Sequence, residues 1–329
     1  MSSNYPLFDT SRLQLSPLRE RRHDLDLSVI MPLSKRAEIV PELSKVASHI
    51  RKARQTAPGS SVVLMIGAHV IRSGVQPYII DLMKRGFISC VSTNGAGAIH
   101  DYEFALIGAT TESVARYIKE GQFGLWEETG KINDIVSDAA QIGLGLGESV
   151  GKVIETGHFP HKDISIFAAA YRLGIPVTVH VGIGYDIVHE HPNCDGAAWG
   201  TASMTDFRIY AKVLESLEGG VIMNFGSAVM VPEVFLKALA MVRNVARQDG
   251  KKVENFTTLV CDLKPLPTSY HLETPKSDPN YYFRPWKTML VRTISDTGES
   301  YYVQGHHKDT IPELWTAIVS QIPGPVDIR

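Results

Sequence analysis

Cysteine is scarce in this chain: Cys90, Cys194 and Cys261 are the three among 329 residues, widely spaced and without a CxxC pair. That excludes an even disulfide framework and leaves buried or free thiols in a reducing compartment as the expectation. An excess of either charge is missing too, with 33 Lys+Arg against 35 Asp+Glu and a formal net charge of −2. No global basic field is then available to recruit nucleic acid or anionic lipid, and a small, locally steered ligand is the better match. The sequence has no apolar run near the length of a membrane span, and no basic stretch leading into an apolar one at its first residues. A cytoplasmic protein that engages neither membrane nor nucleic acid is therefore expected. Internal repeats, low-complexity tracts and the G-x-G-x-x-G spacing are also absent.

What is present is an ordinary globular composition, 44% hydrophobic and 21% charged. The length suits one large α/β domain or two smaller ones, with a substantial core. The chain is organised around residues 87–106, FISCVSTNGAGAIHDYEFAL. An apolar run, Phe87-Ile88-Ser89-Cys90-Val91, has the length of a buried strand. It breaks at the small residues Thr93-Asn94-Gly95-Ala96-Gly97-Ala98 and resumes at helical spacing with Ile99, Tyr102 and Phe104. A strand that stops at glycines and restarts as a helix leaves backbone N–H groups free, which suits an anionic ligand such as a pyrophosphate.

Residues 1–34 are polar and irregular and read as an N-terminal arm; residues 35–329 read as a single domain. Ile39, Leu43, Val46 and Ile50 mark a helix that ends near Thr56-Ala57-Pro58-Gly59. Residues 61–67 form a first buried strand, 69–74 a loop, and a helix follows to Lys84-Arg85. Residues 110–155 look helical, with a break at Gly143, Gly145 and Gly147. Further helices are expected at 163–173, 203–217 and 311–322, with one starting near Val231-Pro232-Glu233. Further strands are expected at 175–179, 221–224, 259–261 and 289–291. Apolar strands alternating with helices imply a doubly wound, mostly parallel sheet of Rossmann-like type, covered on both faces. Ligands of such sheets lie beyond the carboxyl ends of the strands. The loops 93–98, 181–191 and 226–230 all fall there. Residues 264–285, rich in proline and tyrosine, are too long for a routine connector and read as a lid or binding loop.

Two groups of residues can do chemistry. Asp186, His189 and His191, beside a glycine-bent strand end, can serve as acid, base or orienting groups, and His180, His189 and His191 can equally gather around a metal. Lys287, next to Trp286 at a strand entrance, can be desolvated enough for imine chemistry. Before the last helix, Asp309 is the expected N-cap.

In order, these segments resemble the deoxyhypusine synthase family over most of the chain, from about residue 60 onward. The resemblance is carried by Ser73-Gly74, by Val91-Ser92-Thr93-Asn94-Gly95-Ala96-Gly97 with Asp101, and by Gly130-Lys131-Ile132-Asn133. It continues through the helix and strand ending Gly174-Ile175-Pro176-Val177, then Gly182-Ile183-Gly184-Tyr185-Asp186-Ile187 with His191, Gly226-Ser227-Ala228, and Trp286-Lys287, which needs a one-residue gap.

The resemblance implies a Rossmann-like homotetramer with NAD at subunit interfaces. It implies oxidation of a polyamine and passage of an aminoalkyl group, through an imine on Lys287, to an amine or to a lysine of a protein acceptor. On this basis Lys287, His191 and Asp186 are the catalytic candidates and Trp286 and His189 the substrate-binding ones. Ser73, Gly74, Thr93, Asn94, Gly95, Gly97, Asp101, Gly226, Ser227 and Ala228 are the cofactor-binding candidates. The family's acidic polyamine-binding segment has no counterpart: 264–285 carries few acids, and Arg284 stands near Lys287. Two other readings use the same residues. One is a metal-dependent hydrolase built on His180, His189 and His191 with Asp186 as base; the other is a relative that keeps the fold and binds a ligand without turnover.

Overall fold

The computed structural model describes residues 3–55 and 59–321. A short strand β1 (His23–Asp26) precedes helix α1 (Pro41–Gln55) and strand β2 (Val62–Ile66). Helices α2 (Ala68–Arg72) and α3 (Gln76–Lys84) lead to β3 (Cys90–Asn94), α4 (Gly95–Ile107) and β4 (Ala109–Glu112). Helices α5 (Val114–Glu120), α6 (Glu127–Ile142), α7 (Leu146–Thr156) and α8 (Ile166–Leu173) come before β5 (Val177–His180). Then follow α9 (Gly196–Leu214), β6 (Val221–Phe225), α10 (Met230–Gln248) and β7 (Thr257–Asp262). A π-helix over Pro285–Arg292, strand β8 (Glu299–Gln304) and helix α11 (His307–Val319) complete the fold.

Six of these strands form one parallel sheet in the order β5-β3-β2-β6-β7-β8. The sheet is covered on both faces, as the apolar strands require. Val62, Leu64 and Ile66 of β2 join a core with α1, α3, α4 and α11, whereas Val63 and Met65 point to the opposite core beside α9 and α10. This alternation is the period-2 geometry of a strand buried on both sides. Counted among the sheet strands alone, the order is 3-2-1-4-5-6, so the connections run outward in opposite directions from β2 and β6.

Several expected boundaries move. β3 begins at Cys90, because Gly86 (φ +73°) and a turn closed by Phe87 N–H to Leu82 O take up the start of the apolar run. Residues expected as the loop 69–74 mostly belong to α2, and residues 93–98 divide between β3 and α4, with no loop between them. The stretch expected to be helical from 110 opens with β4, which pairs antiparallel with β1 of the arm. The arm therefore packs on the body, and its Arg21 forms a buried bidentate ion pair with Glu103. The α9 helix begins at Gly196, earlier than expected, because Asp195 caps Ala197 and Ala198. Residues 289–291 are not a strand: Pro285 opens a π-helix that buries Trp286, Met289 and Leu290. The sixth sheet strand is β8 instead, and the N-cap of α11 is His306, with Asp309 in the first turn. Thr56, Ala57, Pro58 and Ile322, expected helix ends, lie outside the described residues.

Candidate functional site

Strands β2 and β6 are neighbours whose connections leave in opposite directions, and in open sheets the crevice at this switch point is where ligands bind. Here the crevice is floored by glycines. Gly67 follows β2, and a Cβ on it would lie 2.3 Å from Gly226 O after β6. Gly67 N–H bonds Phe225 O at 2.8 Å, and Gly226 N–H bonds Cys261 O at 3.1 Å. Gly226 has φ +68°, and a Cβ there would meet His307 Nε2 at 2.3 Å. Only residues without side chains allow the β2, β6 and β8 ends to approach this closely.

Above these glycines is a cavity of about 290 Å³ lined by His69, Ser73, Gly226, Asp262, His306 and His307. His307 Nδ1 is buried with no hydrogen-bond partner. Burial lowers the His307 pKa, a shift that Asp262 opposes, so the ring is neutral near pH 7 and can accept a proton. A second cavity of about 210 Å³ lies across α2, toward β3 and β5, and is lined among others by Arg72, Ala96, His100, Tyr185 and Asp186. The two cavities meet at α2, where Arg72 Nη1 is 3.3 Å from His69 Nε2.

At the β3–α4 turn the helix N-terminus is already supplied with oxygen. Asn94 Oδ1 accepts Gly97 N–H at 2.9 Å, and the Asp186 carboxylate takes the N–H of Ala96. A Cβ on Gly95 would lie 2.1 Å from Asp186 Oδ2, so Gly95 is the seat of that carboxylate. Gly97 makes room in the same way for Thr93 Oγ1, which is buried without a partner. The anion held by this turn is thus the chain's own. Burial pushes the Asp186 carboxyl up to about 6, against the pull of its Ala96 bond.

The remaining candidates separate. Asp101 spends its carboxylate on the start of α8, accepting from Ser165 Oγ and from Ile166 N–H at 2.8 Å. Ser73 lines the larger cavity, whereas Gly74 (φ +75°) is pressed against the arm, where a Cβ would lie 1.8 Å from Val29 O. Gly226, Ser227 and Ala228 form the turn after β6, closed by Asn224 Oδ1 accepting Ser227 N–H at 3.1 Å. His191 is buried against α6, its Nε2 2.8 Å from Gly124 O, and lines neither cavity. His189 Nδ1 accepts the N–H groups of Gly184 and Asp186, both at 3.2 Å, which fixes the neutral ring as a turn-forming group. His180 contacts Thr178 Oγ1 at 3.1 Å, and burial lowers its pKa to about 4. These three imidazoles are pinned to different partners, and among the described residues no group of three or more His, Cys, Asp or Glu could hold a metal ion. Lys287 is buried on the π-helix with Nζ 3.4 Å from the Tyr281 ring centre, and Trp286 Nε1 donates to Tyr270 O at 2.7 Å. Neither residue lines either cavity.

Sequence reasoning missed His69, Asp262 and His307. The signal was positional: each lies just past, or at, the carboxyl end of a sheet strand. With β8 unassigned, the end that positions His307 could not be recognised.

The architecture is that of a Rossmann-type α/β protein, with a six-strand parallel sheet and a switch-point crevice. Comparisons with known proteins agree with that class. Residues 44–138 match the family described as arginine dihydrolase ArgZ-like, C-terminal, Rossmann fold. Among solved structures, unliganded AgrE is 18% identical with a TM-score of 0.52, the overlap covering 84% of this chain and 32% of AgrE. AgrE in ternary complex with ornithine and NAD+ is 18% identical with a TM-score of 0.50 and the same coverage. A protein of Entamoeba histolytica assigned as a deoxyhypusine synthase is 10% identical with a TM-score of 0.45, covering 85% of this chain and 87% of that one. The chain spans about a third of the length of AgrE. At these identities the likeness is one of fold. A search of curated proteins gives no match. Among the described residues no helix is long and apolar enough to cross a membrane.

Proposed function

We propose that this chain is an NAD-dependent enzyme that binds its cofactor across the β2/β6 switch point and oxidises or reduces a carbon bearing nitrogen in a small amine or amino acid. The observation that carries this reading is the glycine floor, in which Gly67 and Gly226 bring backbone to backbone at the crossover of a 3-2-1-4-5-6 sheet. Those glycines let the strand ends close up against each other and against His307, and dinucleotides of sheets with this order lie across the crossover so formed. NAD, when bound, supplies the hydride chemistry; the protein supplies orientation and proton handling. His307, with its free buried Nδ1, is the group suited to take the proton released from nitrogen. The complex of AgrE with ornithine and NAD+ lends support on the nature of the ligands.

The test is titration of NAD into the wild-type chain and into Ser73→Phe, whose ring would enter the larger cavity. Saturable binding that weakens at least about tenfold in the variant, with the melting curve retained, supports the reading. A wild type that does not bind NAD overturns it.

Aminoalkyl transfer through a Lys287 imine is the finer form of the same reading and rests on the family resemblance. It requires Lys287 to reach an amine carbon, and borohydride reduction in the presence of NAD and an amine examines that directly. A covalent adduct formed by the wild type and lost in Lys287→Ala supports transfer; no adduct leaves hydride transfer alone. A homotetramer with sites at its interfaces belongs to this finer form and is tested by light scattering.

A further inference from the structure

The β3-side cavity, of about 210 Å³, meets the larger one at α2 but is built differently. A helix start beside it would ordinarily suit a phosphate, and that of α4 is already filled by Asn94 and Asp186. What the cavity offers instead is one uncommitted charge of each sign. Arg72 forms no ion pair among the described residues: its Nη1 lies 3.3 Å from His69 Nε2, and its Nε is buried without a partner. The other cation in the lining, Arg21, is committed to Glu103, and His100 is neutral because burial lowers its pKa to about 4.

Of the acids, Glu112 gives its oxygens to Gly124 N–H at 3.0 Å and Trp126 Nε1 at 2.9 Å. Asp186 accepts the N–H of Ala96 and no side-chain donor among the described residues, so lone pairs remain for a charged donor. The cavity is also lined by Thr111, the one residue other than glycine with a positive φ, +68°, among the described residues. A β-branched residue is an outlier there, and strain of this kind gathers at ligand sites. The Thr111 Oγ1 is buried and has no hydrogen-bond partner. A hydroxyl and a guanidinium N–H left dry in one cavity are unfavourable until an acceptor arrives. A carboxylate is the acceptor that satisfies both at once.

We infer that the β3-side cavity takes a free amino acid, its carboxylate on Arg72 and Thr111 and its ammonium on Asp186. The inference rests on the reading of a cofactor at the glycine floor and names the substrate class for it, an amino acid in place of a diamine or polyamine. Because the cavities meet at α2, a ligand in the smaller one abuts whatever fills the larger. A polyamine dication would bring a second positive charge toward Arg72 with one carboxylate to meet it, which a partly dry cavity penalises.

Isothermal titrations of the wild-type full chain, with and without NAD, would pair each amino acid with the amine left when its carboxylate is removed: alanine with ethylamine, ornithine with 1,4-diaminobutane, lysine with 1,5-diaminopentane. At least one amino acid is expected to bind about tenfold or more tightly than its amine. Arg72→Met keeps the stem and drops the charge, and should reduce that preference to within about twofold, with Arg72→Lys restoring part of it. Thr111→Gly should weaken the amino acid by about threefold or more with the melting temperature unchanged or raised, because glycine adopts this φ without strain. No preference for any amino acid over its amine, or a preference unchanged in Arg72→Met or Thr111→Gly, overturns the inference, and NAD binding in the same titrations leaves the cofactor reading standing. Amino-acid binding by a chain that does not bind NAD sinks the cofactor reading and supports the cavity assignment.

Discussion

The two halves of the sheet differ in how far their buried carboxylates are committed to holding the fold. On the β5-β3-β2 side the side chains near the carboxyl edge are largely consumed within the protein. Asp101 serves the start of α8, Asp206 accepts Gly147 N–H and Val179 N–H, and Arg21 is paired with Glu103. On the β6-β7-β8 side, α10 and α11 both begin without a side-chain cap hydrogen bond, as α2 does after β2, and His307 Nδ1 is buried without a partner, as Thr93 Oγ1 and Arg72 Nε are on the other side. Buried polar groups are costly unless satisfied. The first half therefore reads as the one whose buried carboxylates are committed to scaffold and the second as the more open at its helix starts, with unpartnered buried groups on both sides of the crevice.

The sharpest way to break that comparison is at Arg21. Arg21→Met leaves Glu103 buried without its cation, and a loss of about 3–5 kcal/mol is expected in urea denaturation, together with faster proteolysis of the arm. A pH dependence accompanies it. Burial alone would raise the Glu103 pKa, but the Arg21 charge and the bonds from Arg21, Thr110 and Thr129 outweigh it and hold it below the ordinary value. A carboxylate depressed in the folded state adds stability that is fully present above its unfolded pKa and is lost as pH falls through the folded one. The wild type should lose this contribution in acid below the ordinary glutamate range, and Arg21→Met should have lost it already at neutral pH.

How much of this was legible in the sequence follows the same division. The β2, β3, β5 and β6 strands were readable as buried apolar runs bounded by glycine, and their parallel order followed from the helices between them. Asp186 stood out for its company, yet its seat at Gly95 depends on a contact between two loops distant in sequence, which periodicity does not encode. Asp101 resembled a cofactor contact because its position along the chain matched, but the Ser165 turn that claims it is more than sixty residues away. The other half was harder. Strand β8, ESYYVQ, has exposed ends and alternates no more clearly than a loop. The run at 289–291 is apolar enough for a strand and becomes helical because Pro285 sets the first turn and Trp286, Met289 and Leu290 share one buried face. Without β8, neither His307 nor the switch-point count could be read.

A second prediction sharpens the contrast with a smaller effect. Asp206 is fully buried, and burial pushes its carboxyl up to about 7 despite bonds from Val179 and Gly147. Asp206→Ala orphans those N–H donors, and a loss of about 2–3 kcal/mol is expected in thermal or urea melts. Dinucleotide affinity should stay within about twofold of the wild type, since the residue lines neither cavity. A larger fall in affinity at unchanged stability would mean that this half of the sheet is not merely scaffold.

The smallest expected change probes the open half. His306 has N-cap backbone geometry (φ −73°, ψ 145°), but its side chain accepts no N–H of the first turn of α11. Aspartate is among the best N-cap residues because its carboxylate accepts an N–H of the first turn and opposes the helix dipole. His306→Asp should therefore raise stability by about 0.5–1 kcal/mol, a few degrees of melting temperature. It also sets a carboxylate in the larger cavity, and weaker binding of the anionic dinucleotide is expected at low salt, with the deficit shrinking as ionic strength rises. Stability and affinity moving in opposite directions is the signature of a helix end left uncapped for a ligand. If both rise together, the missing cap is an accident of sequence, and the open half of the sheet is no better suited to an anion than the closed one.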